Sequence, residues 1–304
     1  MSLNALYDLP APAKLNLYLH VVGRRHDGYH LLQSVFTFID WADRLHLERR
    51  SDGAIVRHDL GAALPADDLC LKAARALRDA SGCAFGVDIS IDKQVPWGAG
   101  LGGGSSDAAT VLIGLNRLWG LGWSRHQLLA LGETLGADVP FFIGGHTAFV
   151  EGIGEKLTPV SLAEQHYAVL KPGTAIPTAG IFSSALLTRD TTPAIVTGFL
   201  AHAEALVQKE QAGVDRLAAF SGHNDLQRAA EALCPEVAEV GRWLQARFGN
   251  SRMTGSGSAV YARAGAGERP VATMQDGQLE GWPEGWVGRM CRGLNVHPLA
   301  GWLG

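Results

Sequence analysis

The stretch Val95-Pro96-Trp97-Gly98-Ala99-Gly100-Leu101-Gly102-Gly103-Gly104-Ser105-Ser106-Asp107 is a glycine-dense loop that runs directly into a sequence of helical period, with Ala108, Val111, Leu112, Leu115 and Trp119 on one face. Glycines let consecutive backbone N–H groups turn toward one point. A helix that begins there adds unsatisfied donors and the positive end of its dipole. The loop reads as an anion cradle whose natural guest is a polyphosphate. Just upstream, Phe85, Val87, Ile89 and Ile91 alternate with Gly86, Asp88, Ser90 and Asp92, the period of a half-buried strand. Strand, anion loop and helix therefore stand in order.

Working outward toward the N-terminus, Leu15, Leu17, Leu19 and Val21 alternate with Lys14, Asn16, Tyr18 and His20, which predicts a strand carrying Lys14 and Asn16 on one face. Asp27-Gly28 supplies a turn into strands over Phe36 to Ile39 and Leu45 to Arg49, an antiparallel opening sheet. Asp67 is expected to cap a helix running to about Ala80 and ended by Gly82. Ser124 with Gln127 forms a capping box for a helix whose leucines stop at Leu135. Gly152 to Glu164 is the nearest thing to a linker. Beyond it the pattern predicts a strand over Tyr167 to Leu170, a short helix over Thr178 to Leu187 and a longer one over Pro193 to Glu210. Helical patterns from Leu226 and Pro235 follow, then a second glycine hinge from Met253 to Ser258 opening into a strand, then a closing strand over Trp286 to Arg292. The sum is an α+β fold, a mixed sheet with helices on one side.

With 304 residues, 47% of them hydrophobic, the chain can bury the cores of two domains. A net charge of only -4 offers no basic surface for nucleic acid or an anionic membrane, so anionic substrates would have to be held by local charge and backbone donors. No apolar run approaches about 18 residues and no charged leader precedes an apolar core, so the expected location is the cytoplasm. Cys70, Cys83, Cys234 and Cys291 form no CxxC pair, and the eleven histidines show neither HxxxH nor HExxH spacing; no side-chain metal cage is expected. The phosphate loop lacks the lysine of a Walker motif. Gly98, Gly100 and Gly103 satisfy GxGxxG, but the preceding strand alternates and no acidic residue about 20 positions on would hold a ribose. Protein-kinase signatures are missing as well.

Three segments in order remain: Pro12-Ala13-Lys14-Leu15-Asn16-Leu17, then Pro96 through Ser106, then Thr254-Gly255-Ser256-Gly257-Ser258. Together they resemble the three motifs of the galactokinase, homoserine kinase, mevalonate kinase and phosphomevalonate kinase (GHMP) superfamily. Asp27-Gly28-Tyr29-His30, Leu135-Gly136-Ala137-Asp138-Val139-Pro140-Phe141 and Gly293-Leu294-Asn295 narrow the resemblance to the branch that phosphorylates a CDP-linked methylerythritol, over nearly the whole chain. It implies a two-lobed fold: an N-terminal ribosomal-protein-S5-domain-2-like lobe over residues 1–160 that binds ATP, a C-terminal ferredoxin-like lobe over 161–304 that supports the substrate, and a cleft between them.

The same resemblance implies ATP as phosphoryl donor, magnesium with unassigned ligands, and a CDP-linked methylerythritol as acceptor. Lys14 and Asp138 resemble the catalytic pair, an ammonium that keeps a neighbouring carboxylate ionised and ready to accept a proton. Pro96, Gly98, Gly100, Leu101, Gly102, Gly103, Gly104, Ser105 and Ser106 would hold the donor, with Ser106 approaching the β/γ-phosphates or magnesium. Asp107 would be a first-turn acid complementing the helix dipole. Asn16 would lie near the acceptor hydroxyls, Tyr29 and Phe182 would stack on cytosine, and His30 would read its edge. Thr178 would support that pocket, and Gly255, Ser256 and Gly257 would fold over the phosphates or the acceptor. Ala99 stands where glycine is usual, so the backbone there must suit an L-residue. Trp97 would pack on the adenine or its sugar, or cover the core. A different superfamily kinase, a nucleotide-binding regulator and a dinucleotide-binding oxidoreductase are the alternatives; the Lys14 and Asp138 pair separates a kinase from a mere binder.

Overall fold

The structure, a computed structural model, describes residues 3–61, 63–211, 219–271, 273–274 and 284–303. Two long strands open it, β1 (Ala5–Arg24) and β2 (His30–Arg50), paired antiparallel around a turn in which Gly28 has φ 93°. The two strands expected over Phe36 to Arg49 are one. Asp40 to Arg44 stays extended because Ala42 and Asp43 pair with Pro12 and Ala11, so ladder bonds override a locally weak strand signal. The alternation in β1 is real, yet its polar face is covered too: Lys14, Asn16, Tyr18 and His20 are all buried.

β3 (Ile55–Asp59) runs parallel to β4 (Gly86–Asp92), with α1 (Leu69–Ser81) between them. The cap of α1 is Asp68, whose carboxylate accepts from the Leu71 N–H at 3.1 Å, while Asp67 forms ion pairs with Lys72 and Arg75. β4 feeds the glycine loop and α2 (Gly103–Leu118), a helix buried along nearly its whole length against the sheet, α1 and α4 (Val139–Gly144). Between α2 and α4 lies α3 (Arg125–Glu133), started by the Ser124 and Gln127 capping box. Gly152 to Glu164 is no linker. β5 (Ala148–Gly152) and β6 (Lys156–Pro159) form a hairpin there, its turn made by Gly152 and Gly154 at φ 77° and 125°.

The second half contains β7 (Gln165–Lys171), α5 (Thr178–Phe182), α6 (Val196–Gln211), α7 (Gln227–Leu233), α8 (Pro235–Phe248), β8 (Arg252–Met253), β9 (Val260–Ala266) and β10 (Val287–Leu294). α5 is shorter than its sequence pattern predicts. The Arg189 guanidinium takes the carbonyls of Phe182, Ser184 and Leu187, and the first of these is one that a helix continuing to Leu187 would have used. β10 pairs with β7 along Val287 to Arg292 and with Ile39 and Phe38 of β2 through Gly293 and Leu294. One sheet of order β3-β4-β2-β10-β7-β9-β8 thus runs through both halves. The mixed α+β architecture agrees with the fold implied by the resemblance. Among the described residues no helix is long and apolar enough to cross a membrane.

Candidate active site

A cleft of about 960 Å³ opens where the glycine loop, β1, the start of α4 and the Gly255 hinge meet. Its floor follows from backbone chemistry. Gly98, Gly100 and Gly102 adopt φ of 64°, 73° and 70°, and each alternates with a residue of ordinary φ, which is how Ala99 is accommodated. The Lys14 N–H donates to the Leu101 carbonyl at 2.9 Å, tying the loop to β1, and the Ala259 N–H donates to the Ala99 carbonyl at 3.1 Å, tying it to the hinge. Gly100 and Gly255 meet backbone to backbone: a Cβ on Gly100 would stand 2.2 Å from the Thr254 carbonyl oxygen. Past the loop, Gly103, Gly104 and Ser105 line the cleft in the first turn of α2, where N–H groups have no intrahelical partner.

Lys14 is 3% exposed, and its ammonium has three neighbours: the Asn16 side-chain oxygen at 2.5 Å, the face of Phe36 at 4.6 Å, and the Asp138 carboxylate at 3.7 Å. Burial lowers the Lys14 pKa, and Asp138 pulls the other way. Asp138 stands at the N-terminus of α4 without capping it, so its carboxylate remains available to the cleft. Asn16 is the hub between motifs: its backbone N–H donates to the Thr254 hydroxyl at 2.9 Å and its amide to Ser34 at 3.1 Å. Thr178 and Ser256 share a hydroxyl bond of 2.9 Å across the other wall.

At the far end Tyr29 is exposed, and the rings of His30 and Phe182 stack with centroids 5.0 Å apart. Burial lowers the His30 pKa, with Arg189 and Arg24 acting in the same direction. Every residue singled out from the sequence for donor, acceptor or chemistry lines this cleft except one. Ser106 is fully buried and its hydroxyl donates to the Pro12 carbonyl at 2.7 Å, so it braces α2 against β1 in place of the expected approach to phosphate. Trp97 lines the cleft and is 69% exposed, which removes the core-covering alternative.

Asp107 is not the expected first-turn acid: α2 begins at Gly103 and carries no acidic residue in its first turn. Lys93 bridges Asp107 at 2.6 Å to Asp43, whose carboxylate accepts the Gln94 and Val95 N–H groups at 2.6 and 2.7 Å. Burial pushes the Asp107 carboxyl well above the usual range, with Lys93 opposing; burial likewise works against the Lys93 ammonium, but Asp107 and Asp43 hold its pKa above the ordinary value. This triad pins the entry of the glycine loop to α2. Asn224 is a second residue missed from sequence: its amide donates to the Met253 and Gly255 carbonyls at 2.8 and 2.9 Å, and its oxygen accepts from the Leu226 N–H. An Asn three residues before a helix signals a turn, but nothing local reveals that its amide grips the hinge.

Comparison with known proteins bears on this geometry. The chain matches the GHMP kinases N terminal domain over residues 68–146 and the GHMP kinases C terminal domain over residues 203–271. It is 63% identical over 305 aligned positions, all of both chains, to the 4-diphosphocytidyl-2-C-methyl-D-erythritol kinase of Methylibium petroleiphilum. To the protein of the same name from Verminephrobacter eiseniae it is 53% identical, over 99% of this chain and 98% of that one. A crystal structure of 4-(cytidine 5'-diphospho)-2C-methyl-D-erythritol kinase superposes with TM-score 0.70 at 38% identity, covering 84% of this chain and 89% of that one. The Methanococcus jannaschii mevalonate kinase, at 14% identity and TM-score 0.58 over 86% and 90% of the chains, shares the fold.

Proposed function

The chain belongs to the 4-diphosphocytidyl-2-C-methyl-D-erythritol kinases of the GHMP superfamily, and on that premise we propose how its residues carry out the reaction. It is an ATP-dependent kinase that phosphorylates the 2-hydroxyl of 4-(cytidine 5'-diphospho)-2-C-methyl-D-erythritol, giving the 2-phosphate and ADP, a step of the non-mevalonate route to isoprenoid precursors. We assign residues 1–160 to the ATP-binding lobe and 161–304 to the substrate-supporting lobe, and the reaction to the cytoplasm.

Phosphoryl transfer asks chiefly for positioning and for charge stabilisation. Asp138 takes the proton of the acceptor hydroxyl as its bond to phosphorus forms, and Lys14 orients that carboxylate while offsetting charge on the transferring group. The glycine-loop and first-turn N–H groups of α2 cradle the donor phosphates. Tyr29, His30 and Phe182 receive the cytidine, Asn16 the acceptor hydroxyls, and Gly255 to Gly257, with Thr178 on Ser256, close the cleft above them.

Magnesium fits this site as a phosphate-borne ion. The acidic side chains lining the described cleft are Asp27, at the cytidine end, and Asp138, so Asp138, with Ser105 at the start of α2, would hold the ion beside the donor phosphates. When bound, it would neutralise charge on the β- and γ-phosphates.

The observation that carries the assignment of roles is the 3.7 Å pairing of Lys14 with Asp138 at a cleft floored by the glycine loop. ADP release measured against CDP-methylerythritol, mevalonate, homoserine and galactose is expected only with the first. Asp138→Asn is expected to keep ATP affinity while kcat falls by about 10²-fold or more. Undiminished turnover removes Asp138 from its role.

A further inference from the structure

Arg189 lies in the loop after α5, and three backbone carbonyls fix its guanidinium: Nη2 donates to Phe182 and Ser184 at 3.1 and 3.0 Å, and Nη1 to Leu187 at 3.1 Å. Its Nε is left pointing at the ring of His30, with Nε to Nε2 at 3.3 Å. A guanidinium has donors only and stays protonated, so the nitrogen it faces must present a lone pair. The imidazole of His30 is then neutral, and its single proton sits on Nδ1. The ring lines the cleft, held flat against Phe182.

A fixed Nδ1–H donor distinguishes the two common pyrimidines. Cytosine offers a lone pair at N3, whereas uracil carries a hydrogen there, so the donor finds an acceptor in one base and a second donor in the other. We infer that Arg189 is a positioning residue for base recognition, fixing His30 as the Nδ1–H donor that selects cytosine over uracil in the acceptor substrate. The inference rests on the cytidine-binding reading of this end of the cleft. Arg189 itself need not touch the base. Its effect passes through the tautomer of His30.

Two measurements test it. The first leaves Arg189 intact: long-range ¹H–¹⁵N spectra of the wild-type protein, with the His30 signals assigned by their loss in His30→Gln, are expected to show the Nδ1–H tautomer. The Nε2–H tautomer would overturn the inference. The second compares kcat/KM for the CDP-linked substrate with that for its UDP-linked analogue. The wild type is expected to prefer the CDP compound by about 10²-fold or more. Arg189→Leu is expected to lose at least about tenfold of that preference through KM for the CDP compound, with KM for ATP unchanged, and Arg189→Lys, which keeps an obligatory donor, to recover part of it. A wild type that uses both compounds equally refutes the base selection while the kinase reading stands. Turnover of neither compound refutes the kinase reading itself. Equal loss of KM for ATP and for the CDP compound in Arg189→Leu marks a merely structural arginine and overturns the positioning role.

Discussion

Lys14 shows how much of a residue's chemistry depends on what covers it. As a strand lysine it would be solvated and hold its ordinary pKa of 10.5; here burial depresses that value, partly offset by Asp138. A depressed pKa means that the ammonium is lost at lower pH than usual. Turnover that depends on it is therefore expected to fall as pH rises through a value below 10.5. The pH profile of kcat checks this. Lys14→Arg is expected to lower the rate and to abolish that alkaline limb, since a guanidinium stays protonated throughout. A limb that survives the substitution belongs to another group. Ser106 teaches the converse: a hydroxyl at a helix start can cap, bind ligand or reach a neighbouring strand, and only the approach of Pro12 selects the third.

Between elements, the decisive contact is the one between the glycine loop and the Gly255 hinge. Loop and hinge come close only because neither Gly100 nor Gly255 has a side chain. Gly100→Ala puts a methyl 2.2 Å from the Thr254 oxygen on backbone at φ 73°, which demands movement of one loop. Expected results are a loss of roughly 2 kcal/mol or more in urea unfolding and a KM for ATP raised about tenfold. Gly198→Ala is the control: it sits inside α6 with nothing within 4 Å of the new Cβ, and it should be neutral or stabilising by up to about 1 kcal/mol. Equal behaviour of the two variants would refute the contact argument. The strand, loop and helix around Gly98 to Ser106 were legible from periodicity, as was the capping box of α3, because those signals are local. The hairpin of β5 and β6 is not legible in this way, since its turn glycines look like linker glycines until a partner strand is present. The α1 cap fell one residue off for a similar reason: adjacent aspartates are equivalent in sequence, and only geometry separates them.

At the scale of the molecule, the C-terminal segment closes the N-terminal half. The His297 N–H donates to the Gly145 carbonyl at 2.9 Å, its Nδ1 accepts from the Leu299 N–H at 3.0 Å, and its ring meets Phe38 edge-on. Burial pushes its pKa from 6.5 down to about 4. The unfolded chain thus takes up a proton below pH 6.5 that the folded protein refuses until about 4. This contribution to stability is complete above pH 6.5 and is lost as pH falls through that window, at about 1.4 kcal/mol per pH unit. Between pH 7 and pH 5, urea unfolding of the wild type is expected to lose roughly 2 kcal/mol more than that of His297→Asn, which retains an acceptor without a titrating ring. Identical acid slopes would refute it. By itself the sequence determined most of the order of elements, the phosphate loop, the family and a set of site residues of which all but Ser106 line the cleft, because periodicity, glycine placement and motif spacing are written along the chain. Only the tertiary structure decided what those residues do to one another: Asn16 bonding Thr254 across 238 positions, Arg189 facing His30 across 159, Asp138 beside Lys14, and Ser106 turned away. Local patterns state which residues leave water, but their partners, and with them their charge states and proton positions, are set by packing between distant segments.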